Sequence, residues 1–153
     1  INPNSTASMT DSIGEVARCV AALGVEIDAV SGVGPASIQS HLDEIESAAG
    51  VLQHIADGSA TFDAFVVACY GNHAAINAAR EITRRPVVGI AEASMSLAGM
   101  LGHTFSIVTT SPRWRPMLLD AVQVYGFSHR CASVRALLLN EARQAIAEDG
   151  AEV

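Results

Sequence analysis

Lysine is missing from these 153 residues, because all nine basic side chains are arginine. Without a side-chain amine there is no Schiff-base nucleophile and no lysine for a phosphate-cradling P-loop. Charged residues make up only 16% of the sequence, and the balance is acidic, with a net charge of −7. No basic block and no interleaving of basic and aromatic residues appears, which argues against a nucleic-acid partner. Apolar runs stop well short of the roughly twenty residues a membrane helix needs, so no membrane partner is expected. No stretch reads as a secretory signal. The three cysteines (Cys19, Cys69 and Cys131) are too few and too irregularly spaced for a disulfide framework, so reduced thiols and a cytoplasmic location are expected. His129 and Cys131 are the nearest thing to a metal-ligand pair. No Cys-x-x-Cys or His-Glu-x-x-His pattern accompanies them, so no metal site is expected. The run Gly32-Val33-Gly34-Pro35 lacks the third glycine of a dinucleotide loop and reads as an ordinary loop.

Half of the sequence is hydrophobic, enough for one domain with a true core. Apolar periodicity alternates between helical and extended patterns along the chain. This predicts an α/β fold with an open, mostly parallel sheet and helices on both faces. Ile1 reads as the end of a first strand, and Asn2 to Ser8 as a polar turn in which Ser8 or Thr10 caps the next helix. That helix is expected over Met9 to Leu23, with Met9, Ile13, Val16, Ala17, Val20 and Leu23 on its inner stripe and Cys19 packed in the core. A second strand is expected over Val25 to Val30. A helix over His41 to Ala56 would bury Leu42, Ile45, Ala49, Leu52 and Ile55. Phe65 to Cys69 reads as a third strand, apolar enough for burial on both faces. Helices are expected from Asn72 or His73 to Thr83, over Glu92 to Leu101, from Pro112 to Tyr125 and over Leu138 to Glu148. Strands are expected over Val87 to Ile90 and Thr104 to Thr109, with a short extended stretch over Arg130 to Val134.

The richest segment is Ala64-Phe-Val-Val-Ala-Cys69-Tyr-Gly71-Asn72-His73. An apolar strand ends on a thiol, a glycine turn follows, and a helix begins. In open α/β sheets ligands bind outside the carboxyl ends of the strands. A helix N-terminus lowers a thiol's pKa, and the thiolate is the reactive form. Cys69 is therefore the candidate catalytic residue. Two features suggest an incomplete record of a larger protein. Val134-Arg135-Ala136 runs into Leu137-Leu138-Leu139 with no cap or turn residue, which suggests a missing segment between 136 and 137. Asp149-Gly150-Ala151-Glu152-Val153 reads as the end of a helix entering a strand.

Several motifs occur together and in order: Ile1-Asn2-Pro3-Asn4-Ser5-Thr6, Gly34-Pro35-Ala36-Ser37-Ile38, Asp63 to Gly71, and Arg85-Pro86-Val87-Val88-Gly89-Ile90-Ala91-Glu92-Ala93. They continue with Phe105-Ser106-Ile107-Val108-Thr109-Thr110, Arg130-Cys131-Ala132-Ser133-Val134 and Glu148-Asp149-Gly150-Ala151-Glu152. This ordered set resembles the aspartate/glutamate/hydantoin racemase superfamily, most closely its hydantoin racemase branch. The chain departs from that branch after Cys69, where Tyr70-Gly71-Asn72-His73 stands in place of Phe-Gly-Asp-Pro, and the later strand ending in Gly-Cys, which supplies the branch's second active-site cysteine, is absent from these residues.

The resemblance implies racemisation without a cofactor at a carbon beside a carbonyl, on a 5-substituted hydantoin or a related cyclic ureide such as allantoin, by a homo-oligomer; aspartate or glutamate racemisation, a one-cysteine decarboxylase of the same superfamily and a non-catalytic small-molecule-binding domain are the alternatives. Inversion needs an acid on one face of the carbon and a base on the other. Cys69 would serve one face. The strand-end rule adds Asn4 and Ser5, and Thr109 and Thr110, as substrate contacts. Gly71 and Asn72 would offer donors to enolate charge beside the thiol. His73 and Glu92 are assisting candidates, the first because histidine titrates near neutrality. Their ordinary roles would be helix capping and charge complementarity at a helix start.

Overall fold

The computed structural model describes residues 1–137. The helix expected from Leu138 and the Asp149-Gly150 motif lie outside the described residues. The described part falls into two compact units, Ile1–Ala93 and the residues from Ser94 onward.

The first unit is built on parallel extended segments. β1 (Phe65–Val67) pairs in parallel with β2 (Val87–Gly89), Phe65 opposite Val87 and Val67 opposite Gly89. On the other side of β1, the Ile1 nitrogen donates to the Val66 carbonyl (2.7 Å) and the Ala68 N–H to the Ile1 carbonyl (2.8 Å). Asn2 in turn forms a parallel bridge with Ser31. The spatial order is therefore Val30–Gly32, Ile1–Asn2, β1, β2. Val25–Val30, expected as a strand, is extended but does not form one, and Val25 is exposed.

α1 (Ala7–Val20) connects the first extended segment to the second, α2 (His41–Gly58) leads to β1, and α3 (Ala74–Ile82) joins β1 to β2. Right-handed crossovers put α1 on one face of the sheet and α2 and α3 on the other. Gly58 on α2 faces Phe65, with 3.1 Å between that ring and a Cβ added at the glycine, so the Phe65/Val67 face of β1 is the α2 side. Val66 is half-exposed, so β1 is not buried on both faces as its apolar run suggested.

Two helices turn a different face inward from the one their apolar periodicity marked. The N-cap position of α1 is Thr6, not Ser8 or Thr10, without a side-chain capping bond, and the helix buries Thr10 and Gly14 while Met9, Val16 and Val20 stay exposed. Leu23, beyond the helix end, is also exposed. Gly14 lets the helix close on Ala29, whose Cβ would lie 2.7 Å from a Cβ at that position. Cys19, expected in the core, is exposed. α2 buries Glu44, Ser47, Val51, Ile55 and Gly58, so of the expected stripe only Ile55 is buried, and Leu42 and Ile45 point outward.

The second unit pairs β3 (Phe105–Thr109) in parallel with β4 (Cys131–Ala136), with an irregularity after Phe105. Leu137 N–H continues the ladder to the Thr109 carbonyl. β4 is thus longer than the expected extended stretch and runs through Ala136 into Leu137. α4 (Ile90–Leu101) precedes β3. A 3-10 turn over Pro112–Trp114 leads into α5 (Arg115–Val124), which buries Met117, Leu118, Ala121 and Val122. Phe105 and Phe127 meet edge to face at 5.8 Å. No helix among the described residues is long and apolar enough to cross a membrane.

Candidate active site

Cys69 lies two residues past the end of β1, after Ala68, and is 6% exposed. A tight turn comes next, with the Gly71 N–H donating to the Cys69 carbonyl at 3.1 Å. α3 then begins, capped by His73 Nδ1, which accepts from the Ala75 N–H (3.2 Å). The strand–thiol–turn–helix order read from the sequence is therefore what forms. The thiol's protonation is not as expected. Burial, with the nearby Glu44 charge as a second cause, pushes Cys69 up to about 12. Desolvation disfavours the thiolate more than the α3 N-terminus favours it. Cys69 rests as a neutral thiol.

Under this turn lies a polar group contributed by α2. Nδ1 of His73 accepts, so Nε2 carries the ring proton and donates to Ser47 Oγ (3.0 Å). Ser47 Oγ in turn donates a hydrogen bond to the Glu44 backbone carbonyl (2.9 Å). His73 is 1% exposed, and burial lowers its pKa to about 4. It is a neutral tie between α2 and α3, and both ring nitrogens are engaged. Glu44 is 6% exposed. Its Oε2 meets His41 Nδ1 at 3.3 Å, while its Oε1 is buried with no hydrogen-bond partner. Burial raises the Glu44 pKa. Gly71 packs against this orphaned oxygen so closely that an added Cβ would lie 3.2 Å from it.

A second polar group lies at the ends of the neighbouring extended segments. Buried Asn2 donates through Nδ2 to Asn4 Oδ1 (2.9 Å) and Thr10 Oγ1 (3.0 Å), and its Oδ1 accepts from the Asn4 N–H. Asn4 Oδ1 also accepts from Thr6 N–H, and Asn4 Nδ2 points to the Met9 sulfur. Ser31 Oγ bonds Thr10 Oγ1 at 2.6 Å. Asn4 is buried and occupied by this network, whereas Ser5 is exposed, with its N–H on the Pro35 carbonyl. The 32–35 loop lies across these residues. A side chain at Gly34 would come within 2.9 Å of both the Pro3 carbonyl and Ser47 Cβ. Loops after three adjacent extended segments thus meet over the start of α2, at their carboxyl ends.

The remaining candidates fall elsewhere. Asn72 is half-buried in the turn after Cys69. Glu92, in the first turn of α4, pairs with Arg80 at 2.7 Å, and Arg80 also bonds the Val87 carbonyl. Thr109 and Thr110 end β3 in the second unit, Thr109 half-buried and Thr110 exposed. Cys131 opens β4 with its sulfur on the Ser133 carbonyl. Two open surface crevices, of about 550 and 420 Å³, are lined by residues such as Arg80 and Arg84 and by Arg115 and Cys131, and neither includes Cys69. Glu44 and Ser47 were missed in the sequence. Their signal was present, since they stand seven and four residues before Val51 and thus in helical register with Val51 and Ile55.

A parallel α/β scaffold carries a buried thiol at a strand's carboxyl end, near a buried carboxylate with one unsatisfied oxygen. The sequence pattern of the Asp/Glu/Hydantoin racemase family matches residues 1–153, and the chain belongs to that family. It is 42% identical to a hydantoin racemase of Pseudomonas sp. (strain NS671) and 39% identical to one of Rhizobium meliloti, in each case over 99% of this chain. It covers 68% and 70% of those proteins. The solved structure of an allantoin racemase from Klebsiella pneumoniae superposes with a TM-score of 0.88 at 38% identity, over 99% of this chain and 67% of that one. The chain thus spans about two thirds of each relative's length. Its class is that of an isomerase, a racemase.

Proposed function

We propose that this protein racemises 5-substituted hydantoins or a closely related cyclic ureide such as allantoin, with Cys69 transferring the proton on one face of the chiral carbon. The ring carbonyl beside that carbon acidifies its C–H bond. A base on the opposite face takes the proton, and the electron pair moves into the carbonyl as an enolate. The Cys69 S–H then delivers its proton to the near face, leaving a thiolate, and the reverse reaction starts from that thiolate. The observation that carries this reading is the buried, neutral thiol at the carboxyl end of β1. A general acid must hold its proton until the carbanion forms, and a dry pocket does this. Relatives at about 40% identity that bear the name hydantoin racemase favour the substrate class.

The test uses the full-length protein and an optically pure 5-substituted hydantoin in deuterated buffer. Loss of optical rotation with uptake of deuterium at the chiral carbon is expected, and Cys69→Ala should abolish both. Exchange that survives in Cys69→Ala would remove the thiol from the mechanism. Binding of the hydantoin with no exchange would make the protein a binding module.

A further inference from the structure

We propose that Glu44 is a substrate-anchoring residue whose Oε1 accepts a hydrogen bond from the ring N–H adjacent to the reacting carbon. The inference rests on the cyclic-ureide reading above and adds the residue that selects for it.

Glu44 Oε1 is the one buried side-chain nitrogen or oxygen without a hydrogen-bond partner among the described residues. Polar atoms in such positions are uncommon in folded proteins and costly to keep. The rest of the surrounding polar layer is accounted for: Ser47 and His73 satisfy one another, and Oε2 meets His41. The orphaned oxygen faces Gly71, which has no side chain to cover it, and its charge lies near enough to Cys69 to help raise that thiol's pKa. A ligand that places its reacting carbon at Cys69 brings the atoms bonded to that carbon toward Glu44. In a hydantoin these atoms are a carbonyl carbon and an N–H. A carboxylate repels the carbonyl oxygen and accepts from the N–H. The interaction therefore fixes which way round the ring lies and excludes rings with no donor at that position. It also draws the Glu44 charge toward the ligand when the ligand binds, which eases formation of the thiolate.

The test compares two ligands that cannot turn over, 5,5-dimethylhydantoin and 5,5-dimethyl-oxazolidine-2,4-dione. They differ by an oxygen in place of the N–H beside the substituted carbon, and both are presented at a pH low enough to keep the more acidic dione neutral. Calorimetry on the full-length wild type should show about tenfold tighter binding of the hydantoin, the ordinary worth of a hydrogen bond to a charged acceptor. In Glu44→Leu the preference should fall to twofold or less, and in Glu44→Gln, which keeps an acceptor, it should be intermediate. Thermal melting separates this role from a structural one. Glu44→Leu replaces an unsatisfied buried carboxylate by hydrocarbon and should melt higher than wild type, whereas a structural residue would melt lower. A preference unchanged in both variants overturns the inference and leaves the cyclic-ureide reading standing. Failure of wild type to bind the hydantoin at all overturns both.

Discussion

Two buried polar groups lie at the carboxyl ends of neighbouring extended segments, and they differ in one respect. Around Asn2, the donors and acceptors of Asn4, Thr10 and Ser31 bond to one another and to the turn before α1. Around Cys69, the Ser47–His73 pair is likewise closed, but Glu44 Oε1 has no partner and the thiol is held neutral by burial. The closed group holds chain segments in place. The open one carries unsatisfied capacity, which folding alone does not explain and a ligand would use. Buried polarity thus does two jobs within one unit, and the count of partners tells them apart.

The contrast can be broken most forcefully at the open group. Cys69→Ala should abolish racemisation, a loss of at least about 10³-fold in kcat on the scale of a lost general acid, with little change in melting temperature. The pair of assays, polarimetry and calorimetry, separates chemistry from folding. The closed tie at His73 should show itself through pH. Its folded pKa lies below the ordinary value, so the unfolded state binds the proton more readily, and stability is full above about 6.5 and lost as pH falls through 4. The loss should reach about 3 kcal/mol in urea unfolding, and His73→Gln should flatten that acid limb. Asn2→Leu strands the partners of a residue 1% exposed and should cost about 2–3 kcal/mol by the same measurement. Smaller still, Glu44→Gln removes the lesser of the two causes that raise Cys69, so alkylation of the thiol should begin at lower pH than in wild type. Cys19→Ser, at an exposed position, should change stability by less than about 0.5 kcal/mol. In wild type, Cys19 should alkylate well before Cys69. Equal rates would show that the pocket opens to solvent.

The order of elements was legible because each strand ends in punctuation that backbone geometry enforces. Phe65-Val66-Val67 stops at a thiol and a glycine turn, and Pro86 precedes β2. The family resemblance was legible for the same reason, since its motifs lie at those junctions. The inner faces of α1 and α2 were not. Apolar periodicity measures where hydrocarbon is, while these helices approach the sheet through Gly14 and Thr10 or turn Glu44 and Ser47 inward. A close-approach face is made of small residues, and a functional face keeps polar ones, so both defeat a hydrophobicity reading. The thiol's state also escaped, because sequence shows the helix that would ionise Cys69 but not the depth of burial that outweighs it. Asn4 was found as a site candidate from its place at a strand end, yet its amide is spent on Asn2, Thr6 and Met9.

The spatial order of the first sheet has a kinetic meaning. Ile1 and Asn2 sit between partners some thirty and sixty-five residues later. Loops of that length must close before either pairing is rewarded, and topologies rich in such distant contacts fold slowly. Of the two pairings, the one with Val66 and Ala68 closes the longer loop and so forms against the greater entropic cost.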